Sequence, residues 1–138
     1  MYGLQMIQAM NRNIVVQSEA LKAYLPFHGA DTTATYRSLM EALKTRQTKK
    51  LLNHTYAVRR DLGKIAVRLH NTDVLTFHPN GDVQINSGGW RTVTTKSRLN
   101  RYLPSPLRVS AKKFVWYLFD GKKEIEFEDG LVLCPKSW

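Results

Sequence analysis

The sequence holds one cysteine, Cys134, so no disulfide can close within its 138 residues. That usage fits a reducing compartment. No apolar run approaches the roughly 20 residues that a membrane span needs, and the first stretch, MYGLQMIQAMNRNIVV, lacks the charged start and continuous apolar core of a secretion signal. A cytoplasmic protein without a membrane partner is expected. Phosphate-binding Walker loops and nucleophile elbows are missing too. Four histidines (His28, His54, His70 and His78) stand too far apart in sequence for a zinc motif. The expectation is no metal, no cofactor, no catalytic residue and no enzymatic activity, with a nuclease as the enzyme class left open.

Negative charge is scarce in the middle of the chain. Between Lys44 and Lys113 stand fifteen basic and three acidic residues, whereas Asp120 to Gly130 carries five acids against two bases. The formal net charge is +10. A basic surface keeps a small protein soluble, but clustering on this scale exceeds that need and favours a polyanion or an acidic partner.

The hydrophobic pattern predicts an α+β fold: an antiparallel meander of roughly five to seven strands, a helical N-terminal segment, and one short helix after GGWRTVTT. SEALKAYL (18–25) reads as a helix stopped by Pro26. Tyr36, Leu39, Met40 and Leu43 recur at helical spacing behind a cap at Asp31, Thr32 or Thr33. LLNHTYAVRR (51–60) then reads as one strand. Ile65, Val67 and Leu69 alternate with Ala66, Arg68 and His70, DVLTFH follows, and PNGD makes a hairpin turn into VQIN. WRTVTT reads as a further strand, and TKSRLNRYL (95–103) as a helix capped by Thr95 with Asn100 facing outward. Phe114 to Phe119 reads as a central strand, and EIEFE as a strand with Ile125 and Phe127 inward. The division is residues 1–48, helical, and residues 49–138, β-rich and basic, forming one compact unit.

The stretch INSGGWRTVTTKSRLNRYLP, with NHTYAVRR before it and VWYL and FEDGLVL after it, resembles a widespread group of small proteins encoded by phages and prophages. The resemblance runs from about Lys50 to Leu133 and leaves the first 48 residues outside. It implies a phage setting and a shared fold, and no mechanism.

The same stretch supplies the candidate site. Gly88 and Gly89 permit a sharp bend or close approach to a ligand. Trp90 offers a flat face on which a base could stack, or else it is core. Arg91, Lys96, Arg98 and Arg101 can pair with phosphates, and Thr94, with Thr92, Thr95 and Asn86, offers polar contacts. Arg68 belongs to a second surface, the outer face of the meander, with His70, Thr76, His78, Gln84 and Asn86. The leading reading is a nucleic-acid-binding protein, for DNA or RNA, using phosphate contacts and stacking. The alternative is a phage inhibitor that binds a host defence protein or ribonucleoprotein complex, such as a CRISPR effector.

Overall fold

The computed structural model describes residues 24–27 and 32–135. Its larger sheet has seven strands: β1 (Tyr24–Phe27), β2 (Thr48–Leu52), β3 (Thr55–Arg59), β4 (Ile65–Leu69), β5 (Thr72–Phe77), β6 (Val83–Ile85) and β10 (Val132–Pro135). They lie in the order β1-β10-β6-β5-β4-β3-β2. Every neighbouring pair is antiparallel except β1 and β10, which are parallel. A smaller antiparallel sheet holds β7 (Arg108–Lys112), β8 (Val115–Phe119) and β9 (Glu124–Glu126), with β8 central. Two α-helices complete the described fold, α1 (Thr32–Leu43) and α2 (Val93–Tyr102). The fold is α+β, as the pattern indicates.

Strand register explains where the core sits. Pairing aligns Ala57, Val67, Leu75 and Ile85 in one row and Ile65, Phe77 and Val83 in the next, all of them buried. Side chains directly opposite each other share a face, so these rows form one apolar surface. Leu39 and Leu43 of α1, Leu99 and Leu103 around the end of α2, and Val109, Trp116, Leu118 and Phe127 of the small sheet join the same cluster. The opposite face carries Tyr56, Arg68, Thr76 and Gln84.

Several expectations give way to local chemistry. The 51–60 stretch is a hairpin, β2 and β3, broken at Asn53 and His54, where His54 takes φ of +55°. Tyr24 and Leu25, expected to be helical, lie with Pro26 in β1; that strand is at a sheet edge, where proline's missing N–H is tolerated. The rest of the 18–23 helix lies outside the described residues, as does Asp31. Thr32 does not cap α1: it is the first helical residue, and its buried hydroxyl donates to the Gly81 carbonyl at 2.6 Å. WRTVTT is not a strand. Thr92, not Thr95, caps α2, its hydroxyl accepting from the Thr95 N–H at 3.1 Å, so Val93 to Thr95 form the first helical turn. Local side-chain capping here outweighs the β preference of the threonines.

Asn100 does not face outward. Its amide donates to the Val109 carbonyl at 2.8 Å and accepts from the Val109 N–H at 2.7 Å, stitching α2 to β7. Phe114 is not part of a strand. It is fully exposed in a two-residue turn with Lys113, and both have positive φ (+69° and +51°). A tight hairpin needs that conformation, which asparagine and glycine adopt more readily.

Two stability outcomes follow. Asn100→Ala leaves the buried Val109 backbone without partners and should cost about 2 kcal/mol in urea denaturation, and Asn100→Asp should cost at least as much at neutral pH, because its second oxygen meets the Val109 carbonyl. Lys113→Asn combined with Phe114→Gly should raise the unfolding free energy by about 1 kcal/mol by relieving the left-handed backbone.

Candidate functional site

The turns β2–β3 and β4–β5 and the β6–α2 loop all reach the same end of the large sheet, because the strands alternate in direction. The loop from Asn86 to Thr92 is held there by a dense set of bonds. Asp129 accepts from both the Ser87 N–H (2.7 Å) and the Ser87 hydroxyl (2.8 Å). The Asn86 side chain accepts from the Gly88 N–H, and the Ser87 hydroxyl accepts from the Gly89 N–H and from Arg91 Nε. Trp90 N–H donates to the Ser87 carbonyl, and Thr92 N–H to that of Trp90. At Gly88, φ is +63°, and a Cβ would sit 2.6 and 2.7 Å from the Thr72 Oγ1 and Cγ2 atoms. Only glycine lets the loop lie this close to β5.

Arg91 turns back onto the protein. Its guanidinium lies 4.9 Å from the Phe127 ring centre and 5.3 Å from that of Trp116, with Asp129 3.8 Å away. Ser87, Gly88, Arg91, Thr92 and Thr95 thus all serve the loop itself. Trp90 does not. It is 68% exposed, and no described ring or cation stacks on it. Thr94 is exposed beside it.

Trp90 and Thr94 border a cavity of about 480 Å³, together with Leu69, Val74, Thr72 and the β4–β5 turn residues His70 and Asn71. A second, more open groove of about 570 Å³ runs alongside, lined by Arg98, Arg101 and Ser97 of α2 and by Lys50 to Asn53 of β2 and its turn. Arg98 donates from Nε to the buried Thr55 hydroxyl at 2.8 Å, which fixes it against the β2–β3 turn. Thr94, Arg98 and Arg101 follow one another along one side of α2 over about 10 Å at 1.5 Å per residue. The rings of His54 and His70, from the two hairpin turns, stack 4.6 Å apart.

Of the residues singled out by sequence, the fold brings Trp90, Thr94, Arg98 and Arg101 to one edge. Lys96 lies on the other side of α2, one turn before Asn100, toward β7. Arg91 is turned to the seam of the small sheet. Arg68 is on the opposite face of the large sheet, 5.4 Å above the Tyr56 ring, with its buried Nε unbonded among the described residues. Of the second surface, Arg68, Thr76 and Gln84 share that opposite face, while two members lie elsewhere. Gln84 also donates to the Gly130 carbonyl, Asn86 belongs to the motif loop, and His70 lies in the β4–β5 turn against His54. His78 sits near Lys64 and Asp82, and burial, followed by the Lys64 charge, lowers its pKa from the ordinary imidazole value.

Other cations prove structural. Arg59 donates to the Arg46 and Lys44 carbonyls beyond α1, and Arg60 forms a two-pronged pair with Asp73 at 2.8 and 2.9 Å. Glu124 takes Lys112 at 2.5 Å, and that bond holds its carboxyl below the ordinary range. Among the described residues, no group of three or more His, Cys, Asp or Glu could hold a metal. No described helix is long and apolar enough to cross a membrane.

Sequence reasoning missed Thr72, Asn71, the His54–His70 stack and Asp129. The stack has no signal in spacing, because it depends on two turns ending at the same height. Asp129 hides beside Gly130 in a pair that reads only as a turn.

The anchoring can be tested directly. Gly88→Ala should lower stability by about 2 kcal/mol or more, from the Thr72 clash and the left-handed backbone. Adding Thr72→Ala should return most of the clash component, since only the Thr72 Cβ then lies close, and leave the backbone component, as a double-mutant cycle in urea will report.

No curated protein and no solved structure matches the chain. A family described as Kyanoviridae Gp96 protein matches residues 32–134. The match begins at Thr32, so it takes in α1, which the resemblance read from Lys50 onward had left out. The chain therefore belongs to the Kyanoviridae Gp96 family of phage proteins.

Proposed function

We propose that this phage protein binds nucleic acid, DNA or RNA, at the edge formed by Trp90, Thr94, Arg98 and Arg101. It does so without strong sequence readout and acts in the cytoplasm of the host as a binding protein rather than an enzyme. One observation carries the reading. In a loop whose polar residues are committed to holding it in place, the indole of Trp90 is left in solvent over one cavity, and the next turns of α2 carry two arginines into a second groove. An exposed aromatic of this size costs solubility without aiding the fold, whereas stacking on a base and pairing with phosphate give both groups a task. The net charge of +10 supports attraction of a polyanion.

Binding of a fluorescent oligonucleotide should weaken steeply with salt. Two or three phosphates on the groove give a slope of log K against log salt of about −1.4 to −2 for a single strand. Arg101→Ala should flatten that slope by about 0.7. Affinity indifferent to salt, or absent at low salt, would sink the proposal. Retention of a specific host protein after nuclease treatment would instead favour the alternative, an inhibitor of a host defence complex.

A further inference from the structure

Resting on that reading and deepening it, we infer that the cavity beside Trp90 is a nucleobase pocket that admits one unstacked base of a single strand, with the flanking phosphates on Arg98 and Arg101. The lining of this cavity contains no carboxylate, lysine or arginine. Its floor is Leu69 and Val74, its rim carries the hydroxyls of Thr72 and Thr94 and the amide of Asn71, and one wall is the indole. Its volume, about 480 Å³, falls in the range of small-molecule sites.

A neutral, flat, hydrogen-bonding group suits such a space. The charge lies outside it, in the groove one helical turn along α2. The pair of sites therefore matches a ligand that is neutral and aromatic at one end and anionic at the other, which describes a nucleotide within a chain. A base in a duplex is stacked on both faces and paired at its edge, so it can enter only after leaving the helix. A single strand bears no such cost.

The pocket is also preformed. Its loop wall is tied to Asp129 through Ser87 and pressed against Thr72 at Gly88. Little ordering remains for the ligand to impose. The hydroxyl and amide rim offers donors and acceptors in several directions, which accommodates more than one base.

The test uses the full chain and three probes of equal length: an oligothymidylate, the same sugar-phosphate strand with every base removed, and a duplex. Base–aromatic stacking should make the intact strand bind about 5- to 150-fold tighter than the abasic strand. The duplex should bind no better than the abasic strand. Trp90→Ala should remove most of the preference for the intact strand, and Trp90→Phe should keep most of it. Since Trp90 is largely exposed, these variants should fold, as thermal unfolding will verify. Equal affinity for intact and abasic strands, or a preference untouched by Trp90→Ala, overturns the base pocket. If binding then still falls with salt and with Arg101→Ala, the phosphate groove survives without it. No binding of any probe overturns both.

Discussion

One carboxylate holds the motif loop in place. Asp129, between β9 and β10, takes two bonds from Ser87 and draws Arg91 across the Trp116 and Phe127 rings. Nearby, Gly130 N–H donates to the Ile85 carbonyl and Ile85 N–H to the Leu131 carbonyl, so the same segment continues the ladder between β6 and β10. Bonds to a charged acceptor are worth about 1.5–3 kcal/mol each. The loop's geometry is thus set by a residue more than forty positions away in sequence.

That anchoring determines what the loop presents. With Ser87 tied to Asp129 and Gly88 against Thr72, the chain must pass outward at Gly89 and Trp90 before Thr92 captures the start of α2. The indole stands in solvent beside the cavity that Leu69, Val74 and the buried Thr95 line. A loop rigid enough to keep an aromatic in water is a constraint that packing alone would not impose.

Charge shows the same division of labour. The cations of the central region do not converge as one patch. Arg59 and Arg60 brace the backbone after α1 and the β5 carboxylate, Arg68 lies over Tyr56, and Arg91 caps the small sheet. Arg98 is half committed, through Thr55, yet still borders the groove with Arg101. Net charge sets the sign of the long-range field, while Lys50, Arg98 and Arg101 border the groove.

The amphipathic alternation of Ile65 to Phe77, the Asn80–Gly81 turn and the apolar spacing of Leu39 and Leu43 marked the meander and α1 directly, because burial of one face imposes a period on the residues themselves. The glycine pair likewise announced a bend. Sequence could not reveal that Thr92 rather than Thr95 caps α2, that Asn100 bridges to Val109, or that His54 meets His70, since each depends on groups distant along the chain. It could not say whether Trp90 is exposed or core. Tertiary structure decided that question, because only the closing of the Asp129–Ser87 bonds and the Gly88–Thr72 contact determines which side of the loop faces water.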